Sequence, residues 1–95
     1  MSTLLKKLGE ALHISHDKKL VLKLSFVPPL YITVYDYAMR RIGVLYDVIG
    51  PVKSPYGLVK PEKQILENPS QIVGKSVYVR VLDLERARSK SSKRR

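Results

Sequence analysis

The clearest structural signal in this chain of 95 residues lies in residues 41–56, which run RIGVLYDVIGPVKSPY. Apolar side chains recur at every second position from Ile42 to Val48, which is the period of a β-strand. Gly50 can then take a positive φ without steric cost, and Pro51 fixes its own φ. Pro55 holds the residue before it extended. We therefore expect a strand that is followed by a stiff connection to a second strand.

The rest of the chain also favours short strands. Residues 8–15 fit a strand or a helix, and the prolines at 28–29 end the strand before them, because proline has no N–H to donate. Strands separated by turn residues indicate a closed or sandwiched all-β domain, and closure removes exposed strand edges. We expect a small barrel, with a loop and one helical turn near residues 62–70. The other strands are predicted over residues 20–26, 31–35, 58–59 and 76–81.

The strand at residues 41–49 carries apolar side chains on both faces. Such a strand is covered on both sides within its domain, or by a partner. Because a small barrel has one interior, we expect Leu45 and Ile49 to point outward toward a partner, the alternative being that they are isolated exposed side chains. The face expected to point inward consists of Ile42, Val44, Tyr46 and Val48.

Positive charge is concentrated at the C-terminus of a chain whose formal net charge is +10. Residues 86–95 hold no acid and no large apolar side chain, so they cannot offset the entropy of ordering. We expect one barrel domain at residues 1–85 and a disordered tail at 86–95 that either binds RNA weakly or only aids solubility. The basic tail residues are Arg86, Arg88, Lys90, Lys93, Arg94 and Arg95.

The sequence offers little for catalysis or for metal binding. It has no cysteine, and on a strand His13 and His16 would point to opposite faces, so no metal is expected. No paired-carboxylate pattern and no glycine-rich phosphate loop occur, so neither an enzyme, a cofactor nor a small-molecule substrate is expected. Asp47 is expected to accept hydrogen bonds from nearby backbone N–H groups. The chain lacks an apolar run of about 20 residues and a signal peptide, which favours a soluble intracellular protein away from membranes.

Three tyrosines lie close to a basic pair at residues 40–41. Aromatic side chains between basic residues can stack on single-stranded bases. On a small barrel they more often cap the core with the hydroxyl group in water, and this is the interpretation we favour. The three are Tyr31, Tyr35 and Tyr37.

The motifs resemble the signature of the Gar-type family of archaeal box H/ACA ribonucleoproteins. The match comprises a strand ending in an acid, an apolar pair and Gly-Pro-apolar at residues 43–52, then Pro55-Tyr56, then Val59-Lys60-Pro61. Segments before and after these match in order, so the resemblance extends over residues 5–82. Gly57 stands where the family usually has a bulkier residue, so the local contact there is expected to differ.

The resemblance implies a six-stranded closed barrel like the second domain of elongation factors. It also implies a non-catalytic subunit that binds the catalytic domain of a dyskerin-type pseudouridine synthase. Such a subunit assists substrate turnover in RNA-guided pseudouridylation of rRNA, and it meets the H/ACA guide RNA only indirectly. Eukaryotic members carry glycine/arginine-rich arms, whereas this tail is rich in Ser, Lys and Arg, which fits an archaeal, cytoplasmic protein; a eukaryotic member would be nucleolar.

We place the partner-binding surface where the resemblance is densest and where a stiff loop loses little entropy on binding. An ordinary rigid turn is the alternative for this loop. For the whole chain, the alternatives are an independent RNA-binding barrel in ribosome maturation, of the PRC-barrel kind, and a stand-alone enzyme, which the missing catalytic pattern disfavours. The expected surface consists of Ile49, Gly50, Pro51, Val52, Pro55 and Tyr56, with Lys60 and Pro61 at its margin.

Overall fold

A computed structural model describes residues 4–86 as a closed barrel of six antiparallel strands. This confirms the predicted fold class. The strands are β1 (Leu5–Ile14), β2 (Leu20–Leu24), β3 (Thr33–Tyr35), β4 (Arg41–Ile49), β5 (Tyr56–Pro61) and β6 (Ser76–Arg80). Their order around the barrel is β1-β2-β5-β4-β3-β6. A short helix α1 (Lys63–Glu67) and a 3-10 turn (Pro69–Gln71) connect β5 to β6, and residues 81–86 are helical.

The first strand closes the barrel, because β1 pairs with β2 along one edge and with β6 along the other. Its register shifts between Lys7 and Gly9 on the β6 side and between Ala11 and His13 on the β2 side. Bulges of this kind bend a strand and increase its twist, which a small barrel requires. The segment at residues 8–15, which fitted a strand or a helix, is therefore mostly strand.

One hydrophobic core fills the barrel. Every strand contributes to it, and Ile65 of α1 and Ile72 after the 3-10 turn extend it. Phe26 and Leu84 pack against it from outside the strands and are partly buried. Fully buried side chains from the strands include Leu8, Leu20, Leu22, Val34, Leu45, Val59, Val77 and Val79.

The two faces of β4 differ from the strict alternation expected. The pairing of β3 with β4 skips Ile42, and the pairing of β4 with β5 skips Tyr46. An unpaired residue in a bulge interrupts the alternation of side chains. As a result Leu45, expected to face outward, is completely buried.

The same bulges determine whether the other side chains of β4 point into or out of the barrel. Val44 and Tyr46 were expected to point inward, and this was wrong, because both lie on the outer surface and are half-exposed. Ile42 is buried, Val48 packs partly against the core, and Ile49 is 45% exposed, so these three side chains point in the directions expected.

Strands β4 and β5 approach each other closely at Gly43. A Cβ atom at this position would overlap the backbone carbonyl oxygen of Lys60. We expect Gly43→Ala to lower the free energy of unfolding by about 1–3 kcal/mol, as overpacking does, measured by urea denaturation. Lys60→Ala should be nearly neutral and should not rescue Gly43→Ala, because the clash is with backbone. Rescue would mean that the Lys60 side chain causes the crowding.

Candidate partner-binding surface

The β4–β5 hairpin ends in a compact turn, which we call the hairpin tip (residues 49–56). Ile49 pairs with Tyr56 at its base, and the Ser54 N–H donates to the Pro51 carbonyl over 3.0 Å. Gly50 has a φ of 91°, and a Cβ atom there would lie 3.1 Å from a ring carbon of Tyr56. The expected turn, with a glycine of positive φ at Gly50, is therefore present.

The hairpin tip exposes apolar side chains. Val52 is 92% exposed and Ile49 is 45% exposed, and Pro51 between them is also on the surface. Tyr56 is half-buried beside Gly50. Lys53 is the one charged residue among residues 49–56. The hairpin tip is thus a small exposed apolar surface with a single positive charge.

Three of the residues expected in the surface do not share this exposed tip. Pro55 is buried, and its carbonyl accepts the N–H of Leu24 over 3.1 Å, so it fixes the hairpin to β2 instead of offering a contact. Lys60 and Pro61 lie at the other end of β5, where Pro61 pairs with Gly43. At about 3.3 Å per residue, they stand on the order of 13–17 Å along the strand from Tyr56.

The predicted tail is described only at its first residue. Arg86, which was assigned to the disordered tail, is exposed and is the last of the helical residues 81–86. The remaining basic residues of the tail lie outside the described residues: Arg88, Lys90, Lys93, Arg94 and Arg95.

Several carboxylates hold local structure. Asp47 accepts the neighbouring Val48 N–H over 2.9 Å, as expected. The buried carboxylate of Asp36 accepts backbone N–H groups of Ala38 (2.9 Å) and Arg40 (2.8 Å) and the Arg40 Nε–H (3.0 Å), which fixes the turn between β3 and β4. These are structural roles.

A second ion pair, between an arginine and an aspartate, joins β6 to the helical residues that follow. Arg80 donates two hydrogen bonds of 3.0 Å to Asp83, and its guanidinium lies 5.4 Å from the centre of the Tyr35 ring. The hydrogen bond to Asp83 raises the pKa of Arg80 above its usual value. The Tyr35 ring thus faces the Arg80 guanidinium. Tyr31 and Tyr37 are 73% and 74% exposed, so the three tyrosines have different surroundings.

Two further observations concern residues 4–86. They contain no group of three or more His, Asp or Glu side chains placed to hold a metal ion, and His13 and His16 are both exposed. None of the helices in this part of the chain has the length and apolar character needed to cross a membrane.

Comparison with known proteins shows a similarity of fold. No protein-family model matches the chain. It is 28% identical over 85 residues to an uncharacterized protein of Methanothermobacter thermautotrophicus, covering 86% of this chain and 90% of that protein. It superimposes on the solved structure of the Gar1 domain of NAf1 with a TM-score of 0.69 at 14% identity, covering 84% of this chain and 85% of that one. The chain therefore has the barrel fold of the Gar1 domain.

Proposed function

We propose that this chain is a non-catalytic subunit of an H/ACA ribonucleoprotein. In this role it docks on the catalytic domain of a dyskerin-type pseudouridine synthase and assists substrate turnover in RNA-guided pseudouridylation of rRNA. One coincidence carries the proposal: the segment with the densest Gar-type signature is the hairpin tip, where Val52 is 92% exposed. The likeness of the barrel to the Gar1 domain supports it.

The hairpin tip has the properties of a docking element. Ile49 and Val52 offer apolar area that a partner can cover, and burial of such area drives association. The turn hydrogen bond from Ser54 to Pro51 and the packing of Gly50 on Tyr56 hold the tip in one shape, so little entropy is lost on binding. Lys53 is suited to the polar rim of the interface.

The polar groups of the barrel support an accessory role. Asp36 and Asp83, its best-shielded carboxylates, are each hydrogen-bonded to an arginine of their own segment. We assign these two carboxylates to stabilising the turns in which they lie. In the proposal, pseudouridylation is carried out by the partner enzyme.

The direct test mixes the purified full chain with a purified synthase catalytic subunit and measures binding by calorimetry. A stoichiometric complex is expected, together with faster multiple-turnover pseudouridylation when the chain is added to the synthase–guide RNA complex. The chain alone should have no activity. RNA binding without any synthase complex would favour the alternative of an independent RNA-binding barrel in ribosome maturation.

The basic tail should act separately from the hairpin tip. Deleting residues 87–95 removes Arg88, Lys90, Lys93, Arg94 and Arg95. We expect weaker non-specific RNA binding with a shallower salt dependence, because fewer counterions are released, and nearly unchanged synthase binding. Filter binding over a salt series and calorimetry measure the two effects. Loss of the synthase complex on deletion would place the interface in the tail.

A further inference from the structure

A groove of about 410 Å³ lies on the outer surface of the barrel, toward the end of the β4–β5 hairpin that is remote from the tip. It is assembled from neighbouring segments of the sheet. Val44 of β4 pairs with Lys60 of β5, and β5 in turn pairs with β2, which Lys19 directly precedes. We call this surface the outer groove; it is lined by Lys19, Tyr31, Val44, Tyr46 and Lys60.

The two tyrosines reach the outer groove through distortions of the backbone. The bulge in β4 leaves Tyr46 unpaired with β5 and on the outside of the barrel. Tyr31 has a φ of 66°, in the left-handed region that a bulky side chain rarely adopts, and its N–H donates to the Leu45 carbonyl over 2.6 Å. Its side chain is nevertheless 73% exposed. Strain of this kind is concentrated at functional surfaces.

The charge of the outer groove favours an anion. Its lining contains two lysines and no acid, and among residues 4–86 neither Lys19 nor Lys60 forms an ion pair. Partial burial, and then the nearby Asp17 and Asp47, raise the pKa of Tyr46. Asp17 lies near both Tyr46 and Lys19, and Asp47 lies near Tyr46, so an anion is expected to lie nearest Lys60.

We propose that the outer groove binds single-stranded RNA. A base stacks on Tyr31 and Tyr46 above the apolar Val44, and the adjoining phosphates pair with Lys19 and Lys60. Aromatic faces beside cations are the means by which proteins hold unpaired nucleotides, and the volume lies within the roughly 300–1,000 Å³ of small-ligand pockets. This goes beyond the proposed function, in which the chain meets RNA only indirectly.

The test measures binding of a fluorescently labelled hexauridylate to the full chain by anisotropy over a salt series. Tyr46→Leu and Tyr31→Leu should each weaken binding roughly tenfold, as the loss of one stacked base does, and Tyr46→Phe should bind like the wild type. Tyr37→Leu, at an exposed tyrosine outside the groove, should have no effect. Lys19→Gln should lower the slope of log K against log salt by about 0.7.

Several outcomes would overturn the proposal. Unchanged binding by both Tyr46→Leu and Tyr31→Leu would show that the RNA is held by charge alone. An equal loss for Tyr37→Leu would show that the loss is not specific to the outer groove. Stronger binding of an oligoglutamate peptide than of hexauridylate, with the same dependence on Tyr46 and Tyr31, would assign the groove to an acidic peptide. Calorimetry with the synthase keeps the two proposals apart, because the groove variants should lose RNA while retaining the synthase. If Tyr46→Leu fails to fold, Tyr31→Leu still tests the proposal, because Tyr31 is exposed and its truncation should leave the fold intact.

Discussion

Leu45→Ala is expected to lower the free energy of unfolding by about 2–5 kcal/mol, the cost of truncating a fully buried leucine. Leu45 is 0% exposed, and one of its methyl groups lies beside Gly57, which has no side chain to fill the cavity that truncation leaves. In a domain of this size each kcal/mol moves the thermal midpoint by about 4–8 °C. A fall of roughly 10 °C or more is therefore expected by calorimetry.

The matched control is the preceding residue on the other face of the same strand. Val44 is half-exposed in the outer groove, so Val44→Ala removes less buried area and should cost below about 1 kcal/mol. Urea denaturation of the two variants measures the difference. A larger loss for Val44→Ala than for Leu45→Ala would restore the strict alternation that the sequence suggested and would contradict the bulge at Tyr46.

The strands could be predicted from the sequence better than the direction of their side chains. Period-two patterns located β2, β4 and β6 within a few residues, because a strand with one buried face carries apolar side chains at alternate positions. In β4, however, Leu45 is flanked by Val44 and Tyr46, all able to fill a core. The direction in which these side chains point depends on where the bulges lie. The position of a bulge is determined by the pairing of β4 with β3 and β5, and not by local composition.

Two other expectations from the sequence differ from the structure. Residues 81–86 are helical, although a strand was expected to extend to Val81. The Val81 N–H still continues the pairing with β1 by donating to the Leu4 carbonyl, and Arg80 is bound to Asp83 three residues later. The β1 segment is a strand because it has partners on both sides, which its ambiguous leucine spacing does not reveal.

The candidate surface was only partly predictable for the same reason. Its turn is local, so Gly50 and Pro51 indicate it from the sequence alone. The burial of Pro55 depends on β2, and the distance of Lys60 from the tip depends on the register of β5 with β4. The outer groove escaped notice because it joins residues far apart in the chain and needs Tyr46 to point outward.

Ile49→Asp is expected to weaken synthase binding by roughly thirtyfold or more and to leave the fold intact. An anchor in an interface typically costs about 2 kcal/mol or more when truncated, and each 1.4 kcal/mol is tenfold in affinity. A carboxylate adds the cost of removing a charge from water. Ile49 is 45% exposed in the free chain, so the thermal midpoint should move little. Calorimetric titration with the synthase and thermal denaturation of the free variant measure the two quantities.

Three further substitutions test how the hairpin tip acts. Val52→Asp should weaken binding in the same way, since Val52 is 92% exposed, whereas Tyr37→Asp, at a 74% exposed site away from the tip, should not. Pro51→Ala should have a smaller effect than Ile49→Asp, because it loosens the turn without removing an anchor. Parallel loss of folding and binding in Ile49→Asp would show that the side chain belongs to the core. Full binding by both Ile49→Asp and Val52→Asp would show that the synthase docks on another face of the barrel, for which the outer groove offers the next apolar and cationic surface.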